Sequence, residues 1–369
     1  MNFFSKPIYE LEPTAFGLDI TDVTIRAVQL DRIAPHQVRL SSFTEVVLPP
    51  GLIEQGEIKS ESAVIDVLKD LRKKTQFGSL KSKFVVASLP EQDAFMQVVS
   101  VPKMKKEEID QAIRWEVEGN IPVNVEEAYF DWQNVDPIKK TPDHTDVLVA
   151  ASPRHIVDSY VSVLNSANFS IKALEIESTA TTRALFPGAF SSKPVLVVDL
   201  GAARTSFIIF SGSAIRFTSS IPTSGSQMTQ AIAQAVGVNA DEAEKIKREA
   251  GLDKTKREGK VFKALEPVLE SLISEITKHL SFYKTHSFHE HGQFHNISKI
   301  ILSGGGANLK GLTAYLGAQF KLSVEIGNPW ANILEAPVKY LPPLPFDRSL
   351  SFVTAIGLAL RGLPLYTNQ

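Results

Sequence analysis

Along the chain, apolar residues fall into strand-sized alternations separated by polar bends, with a few stretches of helical period between them. Residues 15–30, "AFGLDITDVTIRAVQL", predict a strand, a polar turn at Thr21 and Asp22, and a second strand on which Val23, Ile25 and Ala27 alternate. That is a β-hairpin with Asp19 at its bend. A looped stretch, "LPPGLIEQGEIK", precedes a helix from about Ser60 to Lys74 whose apolar positions are Val64, Ile65, Val67, Leu68 and Leu71, with Ser60 as the cap signal. From Lys83 onward, "KFVVASLP", "AFMQVVSVP", "KKEEIDQAIRWEVEGNIP", "AYFDWQNV", "TDVLVAASP" and "RHIVDSYVSVLNSANF" read as strand, strand, helix, strand, strand, helix. This is the pattern of a small inserted α/β unit, jointed at Pro90, Pro102, Pro122 and Pro153.

Residues 194–210, "PVLVVDLGAARTSFIIF", repeat the opening logic of buried strand, aspartate, small residues and second strand. Superposing the two segments sets Asp19 against Asp199, Thr21 against Gly201, and Thr24 against either Arg204 or Thr205. Two related half-domains facing each other are expected. Beyond the second hairpin come two helices, "SGSQMTQAIAQAVGV" and "NADEAEKIKREAGL", the latter opened by the Asn239 to Glu242 capping spacing and closed by Gly251. A long helix from about Phe262 to Lys284, a histidine-rich loop, the strand and glycine turn "ISKIILSGGGANL", and the helix "SFVTAIGLALRG" complete the pattern.

Composition narrows the function classes. The chain has 369 residues, 43% hydrophobic and 22% charged, with a formal charge of −2. That length fits two globular units, and the balanced charge supplies no field for nucleic acid. Cysteine is absent, which removes thiolate nucleophiles and cysteine-based metal centres. No apolar run approaches the roughly 20 residues that span a bilayer. The opening residues lack the basic, apolar and small-residue zones of a signal peptide, so retention in the cytoplasm is expected.

Four constellations carry candidate chemistry. Asp19 and Asp199 each occupy a hairpin bend, where a carboxylate beside backbone N–H groups can hold a phosphate and its Mg²⁺; Asp is also favoured in turns for purely local reasons. Their pairing favours the chemical reading. Glu244 and Lys247, three apart on one helix face, are either a solvated ion pair or hydrogen-bonding groups for ribose hydroxyls and a purine. The glycines of "ILSGGGANLKGL" either satisfy a tight strand-to-helix turn or leave backbone bare for a flat or anionic ligand. Five histidines, His279, His286, His289, His291 and His295, cluster with Glu290, and His289 and His291 have the spacing to share a metal. They lack a regular ligand frame, which favours a solvated loop.

The order of "GLDITDVTIR", "VVDLGAARTSF", "EAEKIKREAGL", "LSGGGANLKGL" and "SFVTAIGLAL" resembles the actin-like ATPase superfamily, over nearly the whole chain. Within it the chain is similar to the PilM family of type IV pilus assembly, with the cell-division FtsA family as the nearest alternative. The resemblance implies a two-lobed α/β fold of the actin-like, ribonuclease H-like kind. Subdomain 1A would span 1–83, 166–190 and 351–369; an FtsA/PilM-type 1C insert 84–165; subdomain 2A 191–225 and 298–350; and subdomain 2B 226–297. It also implies that ATP or ADP binds with Mg²⁺, the ion held by Asp19 and Asp199 mostly through water. The phosphates would meet Thr21, Asp22, Val23, Thr24 and, on the second hairpin, Gly201, Ala202 and Thr205. Arg26 stands in the place of a family lysine. Ser224, Gly225 and Thr229 fall where two glycines and a threonine are frequent. Glu244 and Lys247 would face the ribose or adenine, and Gly304, Gly305, Gly306 and Asn308 would bed the nucleoside.

Where the family usually has glycine the chain has Thr21, whose β-carbon and the neighbouring Asp22 charge are expected to weaken phosphate binding. No residue of "LEIESTATTRAL" stands out for positioning an attacking water, Glu177 being the one nominated, so weak or absent hydrolysis is expected, with no residue assigned as catalytic. By the same resemblance the partners are the N-terminal cytoplasmic segment of PilN and other inner-membrane pilus proteins, at the inner face of the membrane, with homo-oligomers allowed. An FtsA-like protein would need an amphipathic anchor, which "LALRGLPLYTNQ" with Pro364 does not supply. A small-molecule kinase of the same fold would need an acid/base group for a bound hydroxyl, and none stands out.

Overall fold

The computed structural model describes residues 13–34, 37–105, 108, 111–115, 125–135, 144–286, 296–334 and 340–364. The first hairpin is β1 (Phe16–Ile20) and β2 (Thr24–Ala34), followed by antiparallel β3 (Gln37–Val47). The stretch read as a loop forms a short ladder of β4 (Ile53–Glu54) and β5 (Glu57–Ile58). Helix α1 (Glu61–Asp70) follows, extended by a 3-10 turn to Lys74. Ser60 occupies its N-cap but its hydroxyl makes no capping bond. Glu61 accepts instead from Ser159 and Ser162, tying α1 to α2 (Arg154–Ser166).

β6 (Phe84–Leu89) corrects the sequence reading that grouped it with the insert. It pairs parallel to β1 on one side and to β10 (Ser170–Ile176) on the other, giving a sheet of order β10-β6-β1-β2-β3. Among the described residues, β7 (Phe95–Pro102), β8 (Ala128–Asn134) and β9 (His144–Pro153) form the added antiparallel meander. The helical residues 108 and 111–115 bring Ile113 into its small core with Val101, Val147 and Val149.

The repeat seen in the sequence is carried through to topology. Strands β11 (Ser191–Leu200), β12 (Thr205–Gly212) and β13 (Ala214–Ile221) form an antiparallel meander, and β14 (Lys299–Ser303) and β15 (Ser323–Ile326) add parallel to β11. The order β15-β14-β11-β12-β13 matches that of the first sheet strand for strand. A single register pair, Phe217↔Gln97, then joins β13 to β7.

Helices cover both sheets because both have apolar residues on each face. On the first sheet, Phe16, Leu18, Ile25 and Ala27 pack with Val64 and Leu68 of α1 and Tyr160 and Val163 of α2. On the second, Leu196, Val198, Phe207 and Ile209 meet α4 (Gly225–Val236), α5 (Ala240–Ala250), α6 (Lys260–His286) and α7 (Leu312–Phe320). Ser224 caps α4, Asn239 caps α5 through Glu242 N at 2.9 Å, and Gly251 with φ +57° closes α5. His279 of α6 is a core residue, stacked on Phe207 and bonded to Ser219; His289, His291 and His295 lie outside the described residues.

Helices α3 (Glu177–Leu185) and α8 (Val353–Arg361) belong to a third core shared by the lobes. There Val28 and Leu30 of the first sheet and Val195, Val197, Ile208 and Phe210 of the second converge on Ala184, Leu185, Ala355 and Ile356. The two helices touch backbone to backbone: a Cβ on Gly357 would stand 1.8 Å from Ala180 O. Gly357→Ala therefore forces them apart and is expected to cost about 1–3 kcal/mol or more, read as a lower urea midpoint. An unchanged midpoint would show that the contact bears no weight.

Candidate functional site

The strand pairings place the two hairpin bends in equivalent geometry. Ile20 pairs with Ile25 around Thr21–Thr24, and Leu200 pairs with Thr205 around Gly201–Arg204. Each bend is closed by the same backbone bond, Thr21 N to Thr24 O and Gly201 N to Arg204 O, both 2.9 Å. The alignment ambiguity resolves accordingly: Thr24 corresponds to Arg204. Asp19 and Asp199, each one residue before its strand end, face a common cleft of about 990 Å³ between the sheets.

Thr21, Asp22, Thr24, Arg26, Gly201, Ala202, Gly225, Glu244, Lys247, Gly304, Gly305, Gly306 and Asn308 also line this cleft, together with Glu177. Val23 and Thr205 do not line it. The Val23 carbonyl accepts from Leu48 N, and the buried Thr205 hydroxyl donates to Thr223 O. Sequence reasoning did not assign Glu45 or Arg204 to the site. Glu45 lies opposite Arg26 in the β2–β3 register and accepts from its Nε at 2.7 Å, a relation only strand pairing reveals. Arg204 carried a signal in the repeat itself, as one of the two matches to Thr24.

The first bend turns its polar groups inward. Thr24 N donates to Thr21 Oγ1 at 3.1 Å, and that hydroxyl lies within 3.0 Å of Thr24 O. Asp22 accepts from Gln55 N and Gly56 N, so its charge is held by the β4–β5 turn. Lys247 is largely buried and donates to Gly225 O and Thr229 Oγ1 while lying 2.6 Å from Glu244. Burial raises the Glu244 pKa, but bonds from Lys247, Thr229 and Arg248 outweigh it and hold the carboxyl below its ordinary value. The pair thus fastens α5 to the start of α4 and presents only part of its hydrogen-bonding capacity to the cleft.

The glycine turn has two distinct causes. A Cβ on Gly304, at φ +78°, would stand 2.4 Å from Asp199 Oδ1, and one on Gly306 would stand 2.8 Å from Leu200 Cβ. These two allow the turn to press against the end of β11. A Cβ on Gly305 would meet nothing closer than Ser351 Cβ at 3.7 Å, so Gly305 is not required by packing. Asn308 anchors the turn by donating to Asp347 O at 2.8 Å.

The cleft floor is a set of opposed carboxyls. Burial and the Asp19 charge push Asp199 from its ordinary 3.8 to about 7, against the pull of Arg26 and Ser303. Burial raises Asp19 too, although Arg26 and Ser88 counter it, and burial with Asp19, Glu91 and Asp199 raises Glu177 well above its ordinary value. Like charges forced together in a low-dielectric cleft suit a divalent cation and disfavour the bare ionised state. Oxygen donors from two opposed hairpins fit Mg²⁺, with Asp19 and Asp199 as the groups that would hold it.

A pKa raised on folding stabilises the fold below the unfolded pKa, and that stabilisation is lost as pH rises through the folded value. Asp199→Asn is therefore expected to raise the thermal midpoint by a few degrees in EDTA at pH 8. The gain should shrink as pH falls through about 7 and vanish near 4. Scanning calorimetry across that range checks it.

Among the described residues no helix is long and apolar enough to cross a membrane. A solved PilM–PilN type IV pilus biogenesis complex is 25% identical, covering 95% of this chain and 98% of that one with a TM-score of 0.77. MreB5 of Spiroplasma citri bound to AMPPNP shares the fold at 12% identity and TM-score 0.52, covering 95% and 96% of the two chains. The cell division protein FtsA of Buchnera aphidicola subsp. Acyrthosiphon pisum is 27% identical over 235 residues, 55% of this chain and 54% of that protein. The chain thus spans about half the length of the curated relatives it matches. Residues 17–363 match the family model described as type IV pilus assembly protein PilM, and by that near-complete match the chain belongs to the PilM family of the actin-like fold.

Proposed function

We propose that the cleft binds Mg²⁺ with ATP or ADP, and that the chain acts as a cytoplasmic actin-like scaffold of type IV pilus assembly. It would be held at the inner face of the membrane by the N-terminal cytoplasmic segment of PilN. The observation that carries the nucleotide reading is the convergence of Asp19 and Asp199, from equivalent hairpins of two sheets, on a cleft bounded at another side by Gly305 and Asn308. The partner reading rests on the family match and on the likeness to the PilM–PilN complex.

In this reading the chain's own residues divide the work. Asp19 and Asp199 supply the oxygens that hold the ion, which would neutralise phosphate charge when bound. Gly201 and Ala202 offer a bend with little side-chain bulk for the phosphates, while Thr21 keeps the first bend's polar groups engaged internally. Gly305 leaves open surface for the flat base, and Glu244 takes a ribose hydroxyl with the acceptor capacity that Lys247 leaves free. Burial, with the charges of Asp19, Glu91 and Asp199, holds the Glu177 carboxyl well above its ordinary value, so its ionised, basic form is disfavoured until the charge beside it is compensated. Binding with slow or absent turnover follows.

Calorimetric titration with MgATP is expected to show binding that Asp199→Ala abolishes. Because Asp199 must be ionised, affinity should fall by up to about tenfold per unit as pH drops below about 7 and level off above it. Equal affinity in the variant would refute the site. In a separate titration, a peptide of the PilN cytoplasmic segment should bind the wild-type protein, and its failure to bind with or without nucleotide would remove the partner reading.

A further inference from the structure

Arg204 differs from every other charged group at the cleft floor in what holds it. Arg26, on the strand after the first bend, is committed to Glu45 at 2.7 Å and lies 4.0 Å from Asp19. Arg204 instead donates through one terminal nitrogen to Gln92 Oε1, a neutral amide. Its other terminal nitrogen is buried and without a hydrogen-bond partner among the described residues. A cation that desolvates one nitrogen and spends the other on a neutral acceptor is poised for exchange. A phosphate supplies two charged acceptors in the plane that the guanidinium fork requires, and a carboxamide cannot compete with it.

Position fixes which phosphate this would be. Arg204 ends the second bend, where its counterpart Thr24 is turned back onto Thr21. Its charge faces Glu91 and Glu177, at the α3 side of the cleft floor. Gly305 and Asn308 follow β14, the strand on the other side of β11 from β12. A nucleotide with its base toward Gly305 and its first phosphates between the bends brings its last phosphate nearest to Arg204.

Gln92 sits in the loop that crosses from β6 of the first sheet to β7 of the second. Glu91 fixes that loop to α3 by accepting from Ser178 N at 3.2 Å, and Asp93 holds φ +59° just beyond it. Arg204 to Gln92 therefore ties the second bend to the crossing loop, where the added meander begins.

We infer that Arg204 is a specificity-determining residue for the terminal phosphate: it exchanges Gln92 for the γ-phosphate, so ATP, but not ADP, releases the loop that leads into β7. This rests on the nucleotide reading of the cleft. The test is titration of the full chain with a magnesium-loaded non-hydrolysable ATP analogue and with MgADP, for wild type, Arg204→Met, Arg204→Lys and Gln92→Ala, with thermal unfolding reporting that each variant is folded. Arg204→Met should lose about 10- to 100-fold in affinity for the ATP analogue and less than about twofold for ADP. Arg204→Lys should restore only part of that loss, because an ammonium cannot make the paired contact.

Gln92→Ala should leave ADP unchanged and bind the analogue at least as tightly as wild type. Hydrogen exchange across residues 90–97 should quicken in wild type with the analogue and not with ADP, and in Gln92→Ala should be fast in every state. Equal losses for both nucleotides in Arg204→Met, or no loss for either, would overturn the assignment while leaving the cleft a nucleotide site. Wild-type protein that binds neither nucleotide would overturn the cleft reading and this assignment together.

Discussion

Two carboxylates that cannot both be comfortably ionised face each other across the cleft, and much of the arrangement around it answers that conflict. Asp19 and Asp199 arrive at the same place because one strand-turn-strand unit occurs twice with the acid at the same offset from the bend. The fold holds them there with apolar packing behind each sheet, which does not depend on charge. It offsets the repulsion only in part, with Arg26, Ser88 and Ser303. A site left electrostatically incomplete in this way is stabilised by whatever positive ligand completes it.

The lobes are distinct as sheets but not as cores. Residues of both sheets converge with α3 and α8 in one apolar cluster, so the floor of the cleft is also the top of the shared core. That contact with the core is why burial raises the carboxyls of Asp19, Asp199 and Glu177. Thr181 and Thr354, bonded to each other at 3.1 Å, bring α3 and α8 together at the cleft, while Arg183 and Arg361 both engage Glu175 beneath. The threonines pair helix to helix, while Glu175 of β10 bridges the arginines of α3 and α8.

The repeated hairpin was legible in the sequence because its signal is local: alternation, an aspartate and a bend within about 15 residues. The capped helix from Asn239 was legible for the same reason. Membership in a sheet was not. β6 carries the same apolar run whether it enters the first sheet or an insert, and only its parallel pairing with β1 and β10 decides. The glycine turn was half legible: Gly304 and Gly306 serve packing, as one reading had it, whereas Gly305 has room for a Cβ and is not required by packing. Glu45 left no trace, because its relation to Arg26 depends on a register between strands.

The place of α8 in the sequence has a consequence for how the molecule is made. β1 is synthesised long before α8, yet one of its faces stays bare until Val353–Arg361 arrives to pack against Gly17. One face of the second sheet, by contrast, packs on helices that lie with it between residues 191 and 326. On the ribosome, that helix-covered face of the later lobe is therefore able to settle while the shared core beneath both sheets still waits for α8.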